Sequence, residues 1–115
     1  MPSAQLDWRA TPEKLEAIVR RLAEVARPSR ILLFGSAGRG ELGPDSDFDL
    51  LVIMPETVAD WRKESVRFGH AVVDFHVPTD ILVISEQEAA AALKNRYGVL
   101  GLALREGKLL YEAPR

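Results

Sequence analysis

Cysteine is absent from the chain, which excludes a disulfide framework, a zinc–thiolate centre and a thiol nucleophile. No stretch approaches the roughly 18 apolar residues that a membrane-crossing helix needs. The opening MPSAQLDWRA contains an acid and no apolar run, unlike a secretory signal. A basic surplus is missing too: 15 Lys and Arg stand against 17 Asp and Glu, for a formal net charge of −2. Proteins that grip nucleic acid through its phosphates ordinarily carry such a surplus or a basic stripe, so nucleic acid is not the expected partner. Internal repeats, linkers and low-complexity segments are lacking as well. What remains is a 115-residue chain, 47% hydrophobic and 28% charged. That is the size and make-up of one globular domain with a sizeable core. The expectation is a single domain over 1–115, soluble and cytoplasmic, with no membrane association.

Periodicity divides the chain into alternating elements. Thr11-Pro12 reads as an N-cap followed by proline at the first helical position. Leu15, Ile18, Val19, Leu22 and Ala26 then recur at helical spacing, and Pro28 marks the stop. The short apolar runs Ile31 to Phe34 and Asp49 to Ile53 read as buried strands, separated by a glycine-rich polar stretch from Gly35 to Ser46. A helix is expected from about Asp60 to Phe75, and a third strand over Asp80 to Ile84. Ser85 and Glu88 form a capping box that opens a helix running to about Arg96. A further helical segment leads to Arg105, and Gly107 turns into a last strand from Lys108 to Tyr111. Strands alternating with helices give an α/β (α+β) domain, a small sheet with helices packed on it.

The chemistry is concentrated in Phe34 to Val52, FGSAGRGELGPDSDFDLLV. Gly35 and Ser36, directly after a buried strand, let backbone amides and a hydroxyl face an incoming phosphate, because glycine tolerates positive φ and close approach. Arg39 can reach phosphate oxygens from the same turn. Asp47 and Asp49 are two apart on a strand start, so both carboxylates project to one face. Like charges placed side by side are costly without a cation between them. Magnesium suits a few carboxylates completed by phosphate and water. Two metals ~3.5–4 Å apart could activate the attacking oxygen and stabilise a departing pyrophosphate. That chemistry wants another carboxylate from a different strand. Asp80, leading the apolar run DILVI, and Asp74, in VVDFHV, are the two candidates, and pattern alone does not rank them.

Taken together, the glycine-serine turn, the short spacer and the Ser-Asp-x-Asp running into an apolar strand resemble the DNA polymerase beta-type nucleotidyltransferases, in particular their minimal branch. Gly35, Ser36, Arg39, Gly40, Ser46, Asp47 and Asp49 fall on that family's motif. The third carboxylate maps to Asp80 in VPTDILVISEQE, and ALREGKLLYEA is similar to the family's closing turn and strand. The likeness is strong from Ile31 to Ile53 and weak between Pro55 and His76. It implies a palm-like fold with a small mixed sheet, catalytic and metal-binding roles for Asp47, Asp49 and Asp80, and nucleotide contacts from Gly35, Ser36, Arg39 and Ser46. Magnesium would be the cofactor, with ATP as substrate. Members of this branch are typically encoded beside a HEPN-domain ribonuclease toxin and attach AMP to a tyrosine of it. The resemblance therefore implies a protein-adenylylating antitoxin that works within a hetero-oligomer. In that scheme Asp80 doubles as the base for the attacking hydroxyl.

Competing readings are weaker. Gly35 to Gly40 has the glycine spacing of a P-loop, but Glu41-Leu42 stand where Lys and Ser or Thr are required. Asp45 reads as a turn former. His70 and His76 lack ligand spacing and read as structural or surface groups. Trp8 and Trp61 read as core packing or partner anchors. Two further functions stay open at this level: a stoichiometric binder with a vestigial nucleotide site, and transfer to a small molecule such as an aminoglycoside. The latter ordinarily draws on an extra helical domain for its pocket.

Overall fold

The computed structural model describes residues 9–35, 43, 46–95 and 97–114. Helix α1 (Pro12–Ala26) starts as its sequence requires: the Thr11 hydroxyl oxygen accepts the Lys14 N–H at 3.2 Å, and Pro12 occupies a first-turn position that needs no donor. Arg27 ends it in the left-handed conformation, at φ 50. There follow β1 (Arg30–Phe34), β2 (Phe48–Met54), α2 (Trp61–Ala71), a 3-10 turn (Val73–Phe75), β3 (Thr79–Ser85), α3 (Glu86–Leu93), α4 (Val99–Glu106) and β4 (Lys108–Glu112).

The four strands form one mixed sheet in the order β3-β2-β1-β4. β1 runs antiparallel to β2 and β4, whereas β2 and β3 are parallel. The parallel pair needs a crossover connection, which α2 provides. Strand alternation then sorts side chains onto two faces. Ile31, Leu33, Phe48, Leu50, Val52, Ile81 and Val83 pack with α1 and with Phe68 and Val72. Leu32, Leu51, Ile53 and Ile84 point the other way, onto Ala89 of α3 and Leu100 and Leu104 of α4. β2 is covered on both faces, hence its continuous apolar run. No helix among the described residues is long and apolar enough to cross a membrane.

Two helices differ from the sequence expectation. The one expected over 60–75 stops at Ala71, where Val72 leaves helical geometry at φ −119 and drops into the core, 2% exposed. The helix expected to reach Arg96 stops at Leu93, because the chain doubles back. Asn95 and Gly98 donate turn hydrogen bonds to Ala92 and Asn95, and α4 returns so closely that a Cβ on Gly101 would stand 2.5 Å from the Ala92 carbonyl oxygen. The capping box at Ser85 and Glu88 is present with both hydrogen bonds made.

Candidate metal centre

The register carries the polar site. Phe34 of β1, Asp49 of β2 and Asp80 of β3 are cross-strand partners. They therefore share one face, the face that α3 and α4 cover further along. The next row on that face is Leu32, Leu51 and Leu82, all apolar. The carboxylates thus sit on the first uncovered row above a closed apolar layer. Asp47, two residues before Asp49, projects to the same side. Carboxylate oxygens of Asp47, Asp49 and Asp80 lie within 4.8 Å of one another.

Electrostatics are unfavourable for three bare carboxylates. Asp47 and Asp80 are exposed, while Asp49 is half-buried. Burial, and then the charges of Asp47 and Asp80, raise the Asp49 carboxyl above the ordinary aspartate value. Gly35 closes the site from β1. It takes φ +73, and a Cβ there would stand 2.6 Å from Oδ2 of Asp49. A residue with a side chain would be strained in its backbone and would collide with the carboxylate. Sequence placed this glycine in a phosphate turn; its role beside Asp49 emerges only from the register.

A divalent metal fits this set. Three oxygen donors converge from two neighbouring strands, one is half-buried, and no Lys, Arg or His joins them in a salt bridge among the described residues. Hard oxygen donors with open positions suit magnesium better than zinc.

Of the other residues singled out in the sequence, Ser46 has a definite local task. Its hydroxyl oxygen accepts the Gly43 N–H at 2.9 Å, and its own N–H donates to the Gly43 carbonyl at 3.1 Å. It thereby ties Gly43 to the residue that precedes Asp47. Asp74, the rival third carboxylate, stands apart. It lies in the 3-10 turn and pairs with Arg21 at 3.2 Å. Ser36, Arg39, Gly40, Asp45 and Trp8 lie outside the described residues. His70 is exposed at the end of α2, and the His76 carbonyl accepts the Lys14 ammonium; neither joins the carboxylates. Trp61 is 45% exposed, with the Arg62 guanidinium 5.2 Å from its ring centroid, so it is not a core residue.

A family model for the nucleotidyltransferase domain matches residues 12–99. The chain belongs to the nucleotidyltransferase family. The match spans α1 through the start of α4 and so contains the whole carboxylate cluster. Solved structures agree on the fold of this nucleotidyltransferase. A toxin–antitoxin structure with AMP-PNP is 22% identical, with a TM-score of 0.53 over 85% of this chain and 73% of that one. A candidate nucleotidyltransferase from Sulfolobus solfataricus is 19% identical, with a TM-score of 0.56 over 87% and 78%. The toxin–antitoxin MntA-HepT is 18% identical, with a TM-score of 0.52 over 90% and 74%. No curated protein matches the chain.

Proposed function

We propose that this nucleotidyltransferase transfers AMP from ATP to a hydroxyl group of a partner protein, as the cytoplasmic antitoxin of a HEPN toxin–antitoxin pair, with residues 1–115 acting as one domain. The observation that carries the reading is the convergence of Asp47, Asp49 and Asp80 within 4.8 Å on the open row of the sheet. Support for a protein acceptor comes from the similar structures that are toxin–antitoxin assemblies, one of them with AMP-PNP.

Asp47, Asp49 and Asp80 would hold magnesium, which when bound supplies charge stabilisation to the triphosphate and the leaving pyrophosphate. The chain's own residues divide the remaining work. Gly35, by lacking a side chain, leaves room for the Asp49 carboxylate. Ser36 and Arg39 would hold the β- and γ-phosphates, stabilising negative charge as pyrophosphate departs. Asp80, exposed on β3, would accept the proton of the acceptor hydroxyl. The hydroxyl oxygen bonds to the α-phosphorus, the bond from that phosphorus to the bridging oxygen breaks, and pyrophosphate carries the electron pair away.

The test is label transfer. Purified protein is incubated with α-labelled ATP, magnesium and the HEPN protein encoded by the neighbouring gene, with the Asp47→Asn/Asp49→Asn variant as control. Label on the HEPN band with the native chain and none with the variant is the expected result. Equal labelling by both forms overturns the catalytic assignment. Binding without labelling by either form points instead to stoichiometric neutralisation.

A further inference from the structure

The most exposed large apolar side chains among the described residues are Tyr97 and Val99, 90% and 84% exposed. They flank Gly98 at the entry to α4. From Val99 a stripe continues along that helix: Val99, Leu102, Ala103 and Glu106 recur at i, i+3, i+4 and i+7, one helical face. With Phe34, Gly35 and Gly107 they line a pocket of about 130 Å³. Leu102 is 48% exposed, and Glu106 is exposed at the far end.

The other face of α4 is fixed. Leu100 and Leu104 pack into the apolar layer over the sheet. Gly101 backs onto the carbonyl oxygens of Ala92 and Asn95, closer than any larger residue allows. The stripe is therefore held in place by the packing of the opposite face, with Val99 and half of Leu102 left open to solvent. Apolar surface held rigidly in water marks an interaction site more often than chance. Its position is specific as well. Gly35, which lines the pocket, is also the residue on which a Cβ would stand 2.6 Å from Oδ2 of Asp49, so the stripe and the carboxylate row meet at this glycine. Along it the apolar side chains of Val99 and Leu102 lie to one side and the carboxylates of Asp47, Asp49 and Asp80 to the other, with Glu106 at the end of the stripe.

We propose that this stripe of α4 is the docking surface for the acceptor protein. The partner presents an amphipathic segment whose apolar side chains cover Val99 and Leu102 and whose Lys or Arg meets Glu106, and its acceptor hydroxyl crosses Gly35 to reach the carboxylates. The inference rests on the protein-acceptor reading above and adds the face on which the acceptor sits. Helix-face recognition with anchors at this spacing is a common mode of protein recognition, and charge complementarity at the rim fixes register.

The experiment uses the neighbouring-gene HEPN protein as probe and three forms of the full chain: native, Val99→Glu/Leu102→Glu, and Glu106→Lys. Binding is titrated directly, label transfer is measured at varied HEPN concentration, and magnesium-dependent binding of ATP is followed separately. The double variant is expected to bind HEPN at least about tenfold more weakly and to raise KM for HEPN by a similar factor, with ATP binding unchanged. Glu106→Lys is expected to weaken binding several-fold and to flatten its salt dependence. All three substitutions sit on exposed positions, and unchanged ATP binding reports an intact fold. Native-like HEPN binding by the double variant overturns the proposal while leaving the transferase reading standing. If the native chain binds HEPN but does not label it, the transferase reading fails and the titration alone decides the docking face: tenfold weaker binding upholds it, equal binding overturns it. Absence of HEPN binding by the native chain overturns it. So does concentration-dependent self-association of the native chain that the double variant loses while transfer stays intact, since the stripe would then seat a second copy.

Discussion

The two ends of strands β2 and β3 carry charge clusters of opposite design. Near the ends of both strands that α3 approaches, Arg30 of β1 meets Glu86 of α3 through two hydrogen bonds, at 3.0 and 2.9 Å. The Ser29 hydroxyl shares its one proton between the same carboxylate, at 2.6 Å, and the Ile53 carbonyl, at 2.9 Å. The Arg30 guanidinium, followed by the Ser29 hydroxyl, holds the Glu86 carboxyl below the ordinary glutamate value against the opposing effect of burial. At the other ends, Asp47, Asp49 and Asp80 crowd like charges together, and Asp49 is pushed the opposite way. One cluster satisfies itself and pins α3 to the sheet. The other is left unsatisfied by the fold, which is expected of a site completed by a ligand. Charge at a strand end is informative only once its partners are known.

The sharpest way to break this comparison is Asp49→Asn. Nucleotide transfer should fall by about a thousandfold, the order set by losing several kcal/mol of transition-state stabilisation, while the metal-free protein should become slightly more stable, by about half a kcal/mol after solvent screening. Thermal melts beside label-transfer rates check both. A variant that loses stability as well as activity would mean the carboxylate is structural.

Gly35→Ala should come next. The added Cβ meets Asp49 Oδ2 at 2.6 Å in a backbone at φ +73, so about 1–2 kcal/mol of stability should be lost. Transfer should drop by more than the stability loss explains, because the carboxylate itself is displaced. Full activity in a folded Gly35→Ala chain would uncouple the turn from the metal centre.

Magnesium should raise the melting temperature of the native chain by an amount worth about 1–3 kcal/mol at ten to a hundred times its dissociation constant. It should leave Asp47→Asn/Asp49→Asn unmoved. Glu86→Gln, by contrast, should cost about 1 kcal/mol, since a half-exposed pair is partly screened, with transfer rates close to native in the folded protein.

The smallest effect is the pH dependence, and its sign differs between the clusters. Asp49, raised, contributes stability below the ordinary aspartate value and loses it as pH rises through its own higher value. Glu86, lowered, contributes above the ordinary glutamate value and loses it as pH falls through its own lower value. In metal-free melts from about pH 3 to 7, Asp49→Asn should therefore flatten the decline on the alkaline side. Glu86→Gln should flatten the loss on the acid side. The same slope in both variants would erase the distinction.

Local sequence signals determined much of this protein unaided. Thr11-Pro12 starts α1 and the Ser85–Glu88 capping box starts α3, because a cap needs only residues within one turn. The apolar runs mark β1, β2 and β3, and the spacing of Asp47 and Asp49 puts them on one face because strand alternation is a local rule. What lies across the sheet was not legible in the same way. Pattern alone left Asp74 and Asp80 as rivals. Only the parallel register of β2 and β3 sets Asp80 beside Asp49, while Arg21, 53 residues away in sequence, holds Asp74 elsewhere. The collision that makes Gly35 obligatory, the Arg30–Glu86 pair and the early stop of α3 at Leu93 are likewise tertiary decisions. Each depends on atoms that meet only after the chain has folded back, and no window of neighbouring residues contains both partners.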